Sequence, residues 1–376
     1  MRILIAPQEF KGTLTAVQAA SAVRDVLARV LGSAHLDMAP LSDGGPGFVA
    51  ALLDATGGES HQCLVQDPLG RPITARWGTI PGGRTAILEM AAASGLSLLA
   101  SSERDPRHTT TFGTGQLIRA ALDANCSQIL LGIGGSATND GGAGAAEALG
   151  VKFLDRHGKP LPHGGAALAE LERIDLLGRD PRLERVELSI AADVNNPLLG
   201  PTGASAIYGP QKGASPKMIA ELDHALSRLA EITRKQLGQD FANIPGAGAA
   251  GGLAFGLIAF LGGQLKSGFK LVSEALHLEE RVEQADVVVA GEGRLDRQTS
   301  YAKGPGSLAS LAKRKGKRTV IFAGRVDPSF SHAESPFDEV LEVSTRQFGL
   351  DPTGSSPRAL LEAGVEHWAR KEAGRR

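Results

Sequence analysis

The sequence predicts an α/β protein in which the first and last thirds share one open parallel sheet and the middle forms an inserted second domain with a mixed sheet. Three observations carry this. Strand patterns alternate with helical patterns at both ends of the 376 residues, as β-α crossovers in a parallel sheet require. Between them lie short strands joined by tight turns, a spacing that suits antiparallel or mixed pairing. Glycine, 48 residues against an average share of about 7%, clusters where strands give way to helices.

The elements follow in order. Residues 2–6 read as a strand ended by Pro7, and Thr15 opens a helix with the capping box Thr15-x-x-Gln18. Val23, Val26, Leu27 and Val30 keep helical spacing until Gly32. A weak strand at 34–38 leads through Leu41–Gly47 into a helix at 48–56. Short strands follow at 62–65, 73–77 and 85–88. We place the inserted domain at 62–265 and the flanking one at 1–61 and 266–376. Within the insert we expect a helix at 115–125, a strand at 128–133, a small-residue helix at 143–149 and a strand at 186–192. Ser215 caps a further helix with Pro216 in its first turn; Met218, Ile219, Leu222, Leu226, Leu229 and Ile232 form its apolar face and Gly238 ends it. An apolar helix runs from the Gly246–Gly252 segment to about Leu261. Strands at 286–290, 319–322 and 340–343 alternate with helices at 306–315 and 357–370, and the charged tail from Ala369 is expected to fray.

Composition excludes some classes. A formal net charge of -1 gives no general attraction to nucleic acid or an anionic membrane, and 4% aromatics is poor for base stacking. Two cysteines, Cys63 and Cys126, make neither a disulfide framework nor a metal-ligand pattern. A strand pattern starting at Met1 and no apolar run of about 20 residues predict a cytoplasmic chain with no membrane span.

The most informative segment is Gly134–Gly142, between a strand and a helix start. Glycines there let backbone N–H groups converge on an anion, and Ser136, Thr138, Asn139 and Asp140 could face a ligand. The competing reading is an N-capped turn with Asn139 or Asp140 as the cap. Four further clusters lie at strand carboxyl ends, where open α/β sheets bind ligands. They are Lys11 in residues 7–12, Asp43 in 42–45, Asp193 in 192–197, and Glu292 with Asp296 in 291–296, the last read as a charged turn or an acidic site. Gln298, Thr299 and Lys303 extend that group. Gln211 and Lys212 sit between glycines at 209–213. The Gly246–Gly252 segment either admits a nucleotide or permits close helix packing.

There is no Walker-type phosphate loop, no Gly-x-Ser-x-Gly elbow and no paired histidine spacing for zinc. Gly132-x-Gly134-x-x-Ala137 formally matches a dinucleotide fingerprint. The following helix is expected only after Asp140, whereas the fingerprint needs its last small residue inside the first helical turn.

Along its whole length the chain resembles the type I bacterial glycerate kinases. The motifs are IAPQEFKGTLTA (5–16), SDGGPG (42–47), EMAAASGL (89–96), RDP (104–106), TFGTGQLI (111–118), GIGGSATNDGGAGAAEALG (132–150), DVNNPLLGPTGAS (193–205), YGPQKGAS (208–215), PGAGAAGG (245–252) and GEGRLDRQTSYAKGP (291–305). The resemblance implies transfer of the γ-phosphoryl of ATP to D-glycerate with Mg²⁺, giving 2-phosphoglycerate, or 3-phosphoglycerate in older descriptions. It also implies a flavodoxin-like (Rossmann-like) three-layer domain from both chain ends, and an inserted mixed α/β domain. The chain departs from the family's usual pattern at Gln8, where Asp is common, at Pro46 in place of an acid, and at Ala302 in place of Gly.

Phosphoryl transfer depends on positioning and charge neutralisation. The expected roles, in an interdomain cleft, are Asp193 as base or metal ligand, and Glu292 and Asp296 as further acids, Glu292 on the metal. Lys11, Lys212 and Lys303 neutralise phosphate or carboxylate, and Asp43, Ser136, Thr138, Asn139, Asp140 and Gln211 contact substrate or phosphate. A homodimer is left open. The rival readings are an NAD-dependent hydroxyacid dehydrogenase, resting on the Gly132 fingerprint, and a non-catalytic sensor.

Overall fold

The computed structural model describes residues 1–296, 304–331, 333, 335–344, 348–351 and 353–374. In chain order the first elements are β1 (Arg2–Pro7), α1 (Ala16–Leu31), β2 (His35–Met38), α2 (Phe48–Thr56), β3 (Glu59–Gln66), β4 (Pro72–Thr79), β5 (Thr85–Glu89), α3 (Ala91–Ser94), α4 (Phe112–Asp123) and β6 (Gln128–Gly132). Next come α5 (Ala143–Ala148), β7 (Lys152–Leu154), β8 (Arg173–Asp175), β9 (Glu187–Ala191), α6 (Ala204–Tyr208), α7 (Pro216–Leu237), α8 (Ala249–Leu261) and β10 (Gln264–Lys266). The chain closes with α9 (Gly268–Ala275), α10 (Leu278–Gln284), β11 (Val287–Leu295), α11 (Gly304–Arg314), β12 (Arg318–Val326), β13 (Glu339–Glu342) and α12 (Pro357–Ala373). It divides into two compact units: Met1–Asp43, Ala50–Gly57 and Phe269–Arg376 form the first, Gly44–Val49 and Gly58–Gly268 the second.

The first unit holds a five-stranded, all-parallel sheet in the order β13-β12-β11-β1-β2. Val287, Val288, Val289 and Ala290 of β11 are buried, as a strand covered on both faces demands. From β1 the chain crosses through α1 to β2 on one side; from β11 it crosses through α11 to β12 on the other. The direction of winding therefore reverses between β1 and β11, and that reversal opens a crevice at their carboxyl ends. Thr15 caps α1: its hydroxyl accepts from Gln18 N, and Gln18 Oε1 accepts from Thr15 N. Two expectations are corrected. β11 runs on to Leu295, paired with β12 as far as Leu295↔Val326, so Glu292 and Arg294 stand on a strand and not in a turn. The C-terminal segment stays helical to Ala373, because Trp368, Ala369 and Glu372 are buried and Glu372 takes two bonds from Arg318, both 2.8 Å.

The second unit holds a six-stranded mixed sheet, β10-β9-β6-β5-β4-β3, with β5, β6, β9 and β10 parallel and β3, β4 and β5 antiparallel. β7 and β8 form a separate ribbon. β10, β8 and α9 escape sequence reading because each is short. α8 contains a left-handed kink at Ala250, Gly251 and Gly252, and regular helix resumes at Leu253. One core of Leu, Ile, Ala and Phe side chains, including Ile129, Leu131, Leu226 and Phe255, fills this unit; Phe322 and Trp368 anchor that of the first.

Candidate active site

In the first unit a cavity of about 570 Å³ opens at the β1/β11 reversal. The loop after β1 supplies Glu9, Phe10, Lys11 and Thr13, and the end of β11 supplies Glu292, Arg294 and Asp296. The loop lies tightly across the strand end because a side chain is excluded there. A Cβ on Gly293 would sit 3.0 Å from Phe10 Cα and 3.1 Å from Lys11 N, and one on Gly324 would meet Gly293 O at 2.4 Å. The Phe10 carbonyl closes the turn by accepting from Thr13 Oγ1 at 2.6 Å and from Leu14 N at 3.1 Å. Lys11, Glu292 and Asp296, far apart in sequence, thus line one concavity.

Its electrostatics are mixed. Burial, and after it the charge of Asp43, raises the Glu9 carboxyl above its ordinary value, while Lys11 opposes this. Arg294 pairs with Asp327, which is held well below the usual carboxylate range, first by the Ser329 backbone N–H and then by Arg294. Gln8, 3% exposed, donates from Nε2 to Asp43 Oδ2 at 3.2 Å. An aspartate at position 8 would instead set two carboxylates against one another, so the neutral amide is a physical consequence of this sequence's departure. Lys303, Gln298, Thr299 and Ala302 lie outside the described residues.

In the second unit the Gly134–Gly142 segment is packed rather than open. A Cβ on Gly132 would meet Gly44 O at 2.6 Å, one on Gly134 would meet Gly45 Cα at 2.6 Å, and one on Gly142 would meet Leu253 O at 2.9 Å. The anion at the start of α5 is the protein's own. Asp140, 1% exposed, accepts from Thr111 N and Thr111 Oγ1, each at 2.8 Å, and from Gly142 N at 3.1 Å and Gly144 N at 3.3 Å. Burial raises its carboxyl above the ordinary value and these donors pull it back. The N-cap of α5 is Gly142 rather than Asn139 or Asp140, and Asp140 holds the turn from two residues before it. α5 begins at Ala143, six positions beyond Ala137, so the dinucleotide fingerprint has no helix to enter. The Gly246–Gly252 segment is packed too: a Cβ on Gly248 would lie 2.2 Å from Pro197 O, and one on Gly251 1.9 Å from Thr138 O.

Lys212 is 1% exposed and donates from Nζ to the Thr138 carbonyl at 2.7 Å. Burial lowers its amine to about 7, with the Asp140 charge acting in the opposite sense. Thr138 and Asn139 are fully buried; Asn139 Nδ2 donates to Ser205 Oγ at 3.0 Å, and Thr138 Oγ1 and Asn139 Oδ1 have no hydrogen-bond partner among the described residues. Ser136 is 7% exposed and Gln211 exposed. Asp193, exposed two residues past β9, accepts the Gly268 N–H at 2.9 Å.

Sequence reasoning passed over Glu9, Arg294 and Glu89. Glu89 ends β5 and accepts from Gly47 N at 2.9 Å and Val49 N at 3.3 Å, a carboxylate at the start of α2. No local signal marks Glu89, since the helix it serves lies some 40 residues earlier. Among the described residues no group of three or more His, Cys, Asp or Glu is arranged to hold a metal ion, and no helix is long and apolar enough to cross a membrane.

Comparison with known proteins follows the same lines. A family model described as the glycerate kinase family matches residues 3–371. A glycerate kinase of Halalkalibacterium halodurans is 45% identical, over 98% of this chain and 97% of its own. A glycerate 2-kinase of Escherichia coli K12 is 47% identical, over 93% of this chain and 92% of its own. A crystal structure from Salmonella typhimurium LT2, provisionally named glycerate kinase 2, superposes with a TM-score of 0.88 at 42% identity, covering all of this chain and 98% of that one.

Proposed function

The chain belongs to the glycerate kinase family, and from that premise we propose that it transfers the γ-phosphoryl group of ATP to the 2-hydroxyl of D-glycerate. The observation that carries the reading within the molecule is the cavity at the β1/β11 reversal, where Lys11, Glu292 and Asp296 converge. Its volume, about 570 Å³, lies within the usual range for small-molecule sites.

In this reading Lys11 neutralises the nucleotide's phosphates. Glu292 and Asp296 suit Mg²⁺, which is commonly held by one or two carboxylates with phosphate oxygens and water completing its shell, so a preformed cage of three acids is not required. Bound there, Mg²⁺ would offset phosphate charge. In the second unit Asp193 takes the proton of the glycerate hydroxyl as the new P–O bond forms and ADP leaves. Ser136, Thr138, Asn139, Gln211 and Lys212 are the contacts we assign to the small acid, with Lys303 and Asp43 on the phosphate side. Asp140 is assigned to the scaffold, because its oxygens are already engaged by donors of the protein itself.

A coupled ADP assay with D-glycerate tests the reaction, and enolase coupling without a mutase tests the position of transfer. ADP release dependent on D-glycerate, with immediate enolase signal, is expected. No ADP release with D-glycerate would overturn the activity; a signal that needs added mutase would move transfer to the 3-hydroxyl.

A further inference from the structure

Of the five arginines between positions 71 and 107, Arg71 and Arg107 are paired with acids, and Arg104 has a buried side-chain donor without a partner among the described residues. Arg71 binds Asp67 and Glu103, each at 2.6 Å, and Arg107 binds Asp105 at 2.7 Å. Glu103 and Asp105, the two acids flanking Arg104, are therefore engaged by other arginines. Arg104 itself forms no ion pair among the described residues. Its side chain is half-buried, and its Nε–H has lost water without gaining an acceptor among the described residues. A buried donor left in this state is costly, and more so when charged, so it calls for an acceptor.

The surroundings say what kind. The Arg104 backbone is pressed against the turn that carries Lys212. Gly213 holds φ +93° there, and a Cβ on it would lie 2.3 Å from Arg104 O and 3.1 Å from Arg104 Cβ. The buried Lys212 ammonium uses one donor, on Thr138 O, and the neighbouring Thr138 Oγ1 and Asn139 Oδ1 have no partner among the described residues. The charge of Asp140 acts on Lys212, and its oxygens are committed to Thr111, Gly142 and Gly144. The Arg104 backbone thus abuts the turn that carries Lys212, and among the described residues no carboxylate forms an ion pair with the Arg104 fork.

We propose that Arg104 binds the carboxylate of the small-acid substrate, its planar fork matching the two carboxylate oxygens. The proposal rests on the kinase reading only for the identity of the acid.

Isothermal titration of the full-length protein tests it, with D-glycerate, inorganic phosphate, neutral glycerol and ADP as separate probes. Arg104→Gln should weaken D-glycerate binding at least about tenfold, the loss expected for a charge-assisted pair, and leave ADP affinity within about twofold. Arg104→Lys, which keeps the charge and loses the fork, should fall between the two and stands in if Arg104→Gln does not fold. Glycerol should bind neither form. In steady state the loss should fall on KM for D-glycerate before kcat. D-glycerate affinity within threefold of wild type in both variants overturns the assignment, as does an equal loss of ADP affinity or a wild-type protein that binds none of the anions. Phosphate bound in place of D-glycerate, and lost in Arg104→Gln, would overturn the carboxylate and the glycerate reading together while locating an anion at Arg104.

Discussion

The Asp140 carboxylate and Thr111 meet twice at 2.8 Å, once through the Thr111 backbone N–H and once through its hydroxyl, in a setting where Asp140 is 1% exposed. This contact ties the start of α4 to the loop before α5 and explains why a glycine-rich, polar segment is a piece of scaffold. Asp140→Ala leaves several buried donors unsatisfied and should destabilise the protein by about 3 kcal/mol in urea denaturation. A loss below about 1 kcal/mol would show that the network is not a structural clamp.

Gly251 separates packing from ligand binding in the Gly246–Gly252 segment. Its φ is +69°, and a Cβ would fall 1.9 Å from Thr138 O. Gly251→Ala should lower stability by on the order of 2 kcal/mol or more, with or without nucleotide present. A variant of native stability with weakened ATP affinity would restore the nucleotide-approach reading.

Lys212 carries a definite pH dependence. Its amine is lowered to about 7 by burial, so between about pH 7 and its unfolded value the native state binds fewer protons than the unfolded chain. Stability therefore rises with pH across this window. Lys212→Met should remove a rise on the order of 1 kcal/mol per pH unit between pH 8 and 9, measured by chemical denaturation. Parallel profiles for the two proteins would refute it.

His163 acts in the opposite sense. Its Nε2 lies 3.1 Å from Glu147 Oε2, and that hydrogen bond raises the imidazole above its ordinary value against the opposing effect of burial. The stabilisation is complete below the unfolded histidine value and fades as pH climbs through the folded one. Tm of wild type should exceed that of Glu147→Gln at pH 5.5, with the gap narrowing by pH 8; a gap that does not change with pH would dismiss the pair.

Catalysis gives the last test. Asp193→Asn should lower kcat at least about a hundredfold if its carboxylate is the base. Lys11→Met should raise KM for ATP at least about tenfold while KM for D-glycerate changes little. Turnover of Asp193→Asn within threefold of wild type would remove that residue from the role.

Much was legible in the chain itself. The Thr15 capping box, the Ser215–Pro216 start of α7 and the apolar run of β11 are local signals, and local geometry answers them. The motifs that resemble those of glycerate kinases are equally local, each a short run of consecutive residues. The length of β11 was not legible, because polar Glu292, Gly293 and Arg294 look like a turn until β12 is seen pairing beside them.

What the sequence determined by itself is the class of fold, the kind of each long element and the inventory of polar residues at strand ends. Only the tertiary structure decided which of them turn inward and which remain available. Asp140 and Arg104 sit in similar polar, loop-forming contexts, yet Asp140 is saturated with donors and Arg104 has a buried donor with no acceptor among the described residues. Pairing and burial depend on neighbours dozens of residues away, and a linear pattern does not contain those distances.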